Sequence, residues 1–267
     1  MTDHEPNDDE SLDLLAGSWR IFQLKRGHRF STDDLAVAWR ASLARPKARD
    51  LLDIGSGIGS VGLLTLWRLD HVAPGAALTT VEVQEVSYEL AKRTIARNGL
   101  QDRVTPLLGD LRDPSVLPAE RRFELITGSP PYFPLGTGRL SPVDQRAGAR
   151  LELRGSVYDY CVTAKRHLAP GGRFVYVMIS ADPRTFDAPG AAGLAIVERW
   201  DFRFRADREP HISTVVCAHA DEVDPTVEPA RGELAIRGHD GEWTDEYLRF
   251  REVMGGPPFL RKGPQGA

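Results

Sequence analysis

The sequence is poor in cysteine: among 267 residues only Cys161 and Cys217 occur, with no zinc-type spacing. That excludes a disulfide framework and makes a reduced, cytoplasmic setting the simplest expectation. No apolar run is long enough to span a bilayer and the N-terminus carries no signal-peptide pattern, so no membrane partner is expected. No metal is implied either. Strong charge is also missing, the formal net charge being -4. Its distribution is uneven, because residues 1–13 hold six acids (Asp3, Glu5, Asp8, Asp9, Glu10, Asp13) and no Lys or Arg. The remainder has 34 basic against 32 acidic residues, so charge neither demands nor excludes a nucleic-acid partner.

With 41% hydrophobic and 27% charged residues, the chain has ample material for one large core. The acidic composition of residues 1–17 predicts a disordered tail. Residues 18–255 are expected to form a single domain with an N-terminal extension on the substrate side, and residues 256–267 a frayed tail. In that extension the basic cluster Arg20, Lys25, Arg26, His28 and Arg29 precedes a helix start at Ser31 or Thr32, where Asp33 and Asp34 complement the helix dipole. The cluster reads as a solvated surface hairpin or as a phosphate-contacting edge beside an active site.

Asp50-Leu51-Leu52-Asp53-Ile54-Gly55-Ser56-Gly57-Ile58-Gly59-Ser60 followed by the apolar-periodic 61–69 reads as strand, glycine-rich turn, helix. Gly55, Ser56, Gly57 and Gly59 let the backbone approach a ligand at the helix N-terminus. Asp53, just before the first glycine, suits the cationic amino-acid end of S-adenosylmethionine and would sit badly beside a pyrophosphate. Glu82 ends the next strand, 25 residues beyond Gly57, where an acid accepts ribose hydroxyls. Asp110 follows a third strand over 103–108, in position to accept from an adenine amine or to serve as an ordinary turn residue.

The run 123–127 is a fourth buried strand that leads into Ser129-Pro130-Pro131-Tyr132-Phe133. Two prolines fix φ and push their predecessors into extended geometry. The Ser129 hydroxyl and Pro130 carbonyl then offer two acceptors beside the Tyr132 ring, a receptor for a planar group bearing an NH₂. The alternative is a strand-ending turn with one core aromatic. Residues 134–150 form a long polar loop with Arg139, Arg146 and Arg150, suited to a polyanion. Helix 157–168 and strand 173–178 follow, and 194–204 with 212–219 pair as an antiparallel hairpin. The whole is an α/β fold, a Rossmann-like doubly wound sheet of about seven strands with ligands at the C-terminal strand ends.

Asp53-Ile54-Gly55-Ser56-Gly57-Ile58-Gly59, Glu82 and Ser129-Pro130-Pro131-Tyr132 resemble the class I S-adenosylmethionine-dependent methyltransferases with an (Asn/Asp/Ser)-Pro-Pro-aromatic motif. More narrowly the chain is similar to the bacterial tRNA adenine-N6 methyltransferases acting on a valine tRNA next to the anticodon. Phe30-Ser31-Thr32-Asp33-Asp34, Val81-Glu82-Val83-Gln84-Glu85, Arg146-Ala147-Gly148-Ala149-Arg150-Leu151-Glu152 and Asp240-Gly241-Glu242-Trp243-Thr244 carry that likeness. It differs in Ser129, where that family usually has Asn, and in Leu151, where it often has His.

The resemblance implies S-adenosyl-L-methionine as cofactor, held by Asp53, Gly55, Ser56, Gly57, Gly59, Glu82 and Asp110. It implies methyl transfer to an exocyclic amine at Ser129, Pro130, Pro131 and Tyr132, with RNA, and tRNA in particular, contacted by Phe133, Arg146, Arg150 and Arg29. Protein-glutamine or rRNA guanine-N2 methylation, and a non-catalytic RNA scaffold that binds the cofactor, are the alternatives.

Overall fold

The computed structural model describes residues 5–133, 152 and 155–257. Glu10–Ala16 (β1) and Trp19–Leu24 (β2) form an antiparallel hairpin that leads to helix Thr32–Ala44 (α1). Strands Asp50–Ile54 (β3), Ala77–Glu82 (β4) and Val104–Leu108 (β5) then alternate with helices Ser60–Asp70 (α2) and Glu85–Arg97 (α3). Phe123–Gly128 (β6), Val157–His167 (α4), Leu168–Ile179 (β7) and Arg184–Ala191 (α5) follow. Leu194–Arg205 (β8), Ile212–His219 (β9), Ala230–Arg237 (β10) and Asp245–Val253 (α6) complete the order.

The second sheet has eight strands in the order β10-β8-β9-β7-β6-β3-β4-β5. Only β9 runs against its neighbours, so the expected antiparallel hairpin is present. The sheet does not stop there, because β10 adds parallel to β8 at the edge, one strand beyond the expected seven. The central strands β3, β6, β7 and β9 are buried on both faces and their residues alternate between two cores, as the two-residue period of a strand requires. In β7, Val175 and Val177 join one cluster with α1 and α2, while Phe174, Tyr176 and Met178 join the other with α4.

The disorder expected for residues 1–17 does not hold over Glu10–Ala16, which form β1. Leu15 and Ala16 are buried in the main core, and Glu10, only 7% exposed, receives two hydrogen bonds of 2.8 Å from the Arg93 guanidinium on α3. Acids that look unsatisfied along the chain find arginines far away in sequence. The start of α1 is as expected: Ser31 is the N-cap, and its N–H donates to Asp34 Oδ2 at 2.7 Å in a capping box.

Candidate active site

The pairing of β3 with β6 puts Ile54 opposite Gly128. The next residues, Gly55 and Ser129, therefore leave the sheet side by side at the same edge. A cavity of about 550 Å³ opens between them, lined by the glycine turn, Glu82, Ser129, Pro130, Pro131, Tyr132 and Phe133. Lys25, Arg26 and Arg29 of the basic segment line it from the other side. The two motifs singled out in the sequence thus face one space.

Within the glycine turn, Gly55 and Gly57 have φ of +61° and +54°, which disfavours a side chain. Space decides their roles. A Cβ on Gly55 would lie 1.8 Å from Tyr160 Oη, whereas a Cβ on Gly57 meets nothing within 4 Å. Gly55 is where α4 packs under the turn, and Gly57 is where the turn opens to the cavity. Gly59 does not line the cavity; it is the left-handed N-cap of α2.

That N-cap has no side chain to offer, so Asp53 takes its place. Its Oδ2 accepts from the Gly62 N–H at 2.9 Å and its Oδ1 from Thr127 Oγ1 at 2.8 Å. Asp53 borders the cavity, and its carboxylate anchors the turn and the neighbouring strand at once. Glu82 Oε2 accepts from the Gly57 N–H at 2.8 Å and Oε1 from the Gln84 N–H at 2.7 Å. Asp110 is not brought to the cavity: Gly109 and Leu111 line it, while the Asp110 carboxylate pairs with Arg112 at 2.6 Å. Arg146 and Arg150 lie outside the described residues.

The structure adds pairings that the sequence did not show. Tyr132 Oη donates to Asp33 Oδ2 at 2.6 Å, so the start of α1 holds the aromatic ring of the acceptor turn. Burial and the neighbouring Asp33 keep that phenol far from ionising. Arg184, at the start of α5, binds Asp182 and Glu152 and reaches the Tyr132 carbonyl at 3.3 Å. Arg29 lines the cavity but also pairs with Asp13 at 2.8 Å. The helix-start pattern marked Asp33 and Asp34 only as complements of the helix dipole; nothing local marked Arg184.

Asp34 and Asp53 are both buried, and desolvation pushes each carboxyl from about 3.8 up to about 7. Asp34 Oδ1 accepts from Ser60 Oγ at 3.2 Å, linking α1 to α2. Between these values the folded chain holds protons that the unfolded chain has released. Their contribution to stability is therefore full below about pH 4 and is lost as pH rises through about 7. The melting temperature of the ligand-free protein should fall from about pH 5 to about pH 8, with a shallower slope in Asp34→Asn, as followed by calorimetry. Equal slopes in the two proteins would remove Asp34 from the account.

The methyltransferase small domain family matches residues 30–185, which include every residue lining the cavity except the segment 25–29 and His211. The chain belongs to that family. As a methyltransferase of this family it uses S-adenosylmethionine, and the site suits that cofactor: Ser56 Oγ is buried without a partner among the described residues, beside the open space at Gly57. The tRNA1(Val) (adenine(37)-N6)-methyltransferase of Glaesserella parasuis is 24% identical over 85% of this chain and 89% of its own. The ribosomal protein uL3 glutamine methyltransferase of Bradyrhizobium diazoefficiens is 29% identical over 47% of this chain and 39% of its own. In fold, the chain resembles a predicted O-methyltransferase from Agrobacterium tumefaciens, with a TM-score of 0.60 at 16% identity, over 84% of this chain and 98% of that one. Among the described residues no helix of this methyltransferase is long and apolar enough to cross a membrane, and no His, Cys, Asp and Glu cluster fits a metal.

Proposed function

We propose that this methyltransferase modifies the N6 amino group of an adenine in tRNA near the anticodon, in the cytoplasm. The observation that carries the reading is the Ile54–Gly128 pairing, which sets the acceptor turn beside the glycine turn over one cavity. The name of the relative that aligns over most of the chain points to the same substrate.

When bound, S-adenosylmethionine supplies a methyl group made electrophilic by its sulfonium. The protein's task is the amine, whose lone pair is delocalised into the base. Ser129 Oγ and the Pro130 carbonyl accept its two N–H bonds, which favours a pyramidal nitrogen with the lone pair directed away from the acceptors. Tyr132, held by Asp33, stacks on the base after it leaves its neighbours, worth about 1–3 kcal/mol. Phe133, Arg29 and the loop with Arg146 and Arg150 contact the rest of the RNA. Serine in place of asparagine at Ser129 keeps one acceptor on a shorter arm.

The test is transfer of labelled methyl to unmodified total tRNA, with ribosomal RNA and a protein extract in parallel, followed by nucleoside and amino-acid analysis. N6-methyladenosine from tRNA is the expected product. Label in glutamine or in guanosine would keep the chemistry and replace the substrate. Cofactor binding without any transfer would leave an RNA-binding scaffold.

A further inference from the structure

Phe204 is out of place for a core residue. It shares its strand face with Phe202, which is 1% exposed, yet Phe204 itself is 48% exposed. Its ring lies on the His211 ring with centroids 4.4 Å apart and planes at 27°. His211 is held from both sides: its N–H donates to the Phe202 carbonyl at 2.8 Å and its carbonyl accepts from the Ser180 N–H at 3.0 Å. The stacked pair is thus fixed where β8 ends and β9 begins, and His211 is itself part of the cavity wall. That wall also contains Tyr132 and the cationic Lys25, Arg26 and Arg29, and Arg208 is exposed in the turn that follows β8.

We propose that Phe204, backed by His211, is a stacking platform for an unpaired base of the RNA acceptor, adjacent to the base that enters the cavity. The inference rests on the RNA reading given above. An exposed ring stacked on a residue of the active-site wall, with exposed Arg208 in the turn beyond it and Lys25, Arg26 and Arg29 on that wall, has the two parts of a single-strand site, a flat apolar face for a base and positive charge for its phosphates. Extruding one base leaves its neighbour unstacked, and a second aromatic surface next to the cavity takes it up.

Phe204→Ala, Phe204→Leu and Phe204→Trp are compared with the wild type on an unmodified tRNA transcript, by equilibrium binding and by methyl transfer. Alanine and leucine should each raise Kd and KM for the RNA by about 5- to 50-fold, with kcat, cofactor affinity and melting temperature near wild type. Tryptophan, which keeps the π face, should restore both within about threefold. Leucine equal to wild type would show that the ring supplies apolar bulk and not stacking, and would overturn the proposal. So would unchanged RNA affinity in Phe204→Ala, while methyl transfer to tRNA by the wild type leaves the functional reading intact. A wild type that neither binds nor methylates the transcript removes the RNA reading and this inference with it.

Discussion

Tyr132→Ala should lower kcat for methyl transfer by about 100-fold or more while S-adenosylmethionine binds within about threefold of wild type. In the proposed function the ring is the stacking face, while its hydroxyl ties the turn to Asp33, so alanine would remove both the contact with the base and the hold on the Ser129-Pro130 turn. Tyr132→Phe separates the two. It keeps the face and leaves the Asp33 carboxylate without its phenol, for a loss of about tenfold, the size of one hydrogen bond to a charged acceptor. Single-turnover transfer and calorimetric cofactor titration on the same preparations read the two effects independently. Cofactor affinity falling in step with kcat would mean that Tyr132 serves the glycine turn instead.

Gly55→Ala should be among the most damaging single changes in the chain. The Cβ would sit 1.8 Å from Tyr160 Oη at a backbone φ of +61°. Tyr160 cannot swing away, because the same ring lies where a Cβ on Gly128 would be, at 2.9 Å. Overpacking and the left-handed backbone together should cost about 3–5 kcal/mol. The expected result is a large drop in melting temperature, with cofactor binding lost. Gly57→Ala is the contrast: nothing lies within 4 Å of its Cβ, so the fold should survive at a cost of about 1 kcal/mol. Its methyl group would enter the cavity and weaken cofactor binding by about tenfold or more. If Gly57→Ala bound the cofactor normally, the open space beside Ser56 would not be the cofactor's.

Much of this was legible along the chain because it is encoded locally. The glycine turn declares itself by strand, Gly-x-Gly-x-Gly and helix in direct succession, and the acceptor turn by two prolines and an aromatic after a buried strand. Helix α5 was not legible, since Pro189 and Gly190 lie inside its range and mask its periodicity. The docking of edge strand β10 against β8 is a matter of the sheet's order.

The sequence alone determined the central strands and helices and the strand-end turns, since each depends on residues within about a dozen positions. The tertiary structure decided which distant groups meet. It gave the Asp53 carboxylate to the α2 N-terminus and Thr127, turned Asp110 to Arg112, tied Tyr132 to Asp33, and drew Glu10 out of an apparently disordered tail onto Arg93. It also laid Phe204 on His211 at the cavity wall. Composition fixes how many charges and rings a chain carries; a buried or half-buried group must find its partner in space, and strand order and register choose that partner.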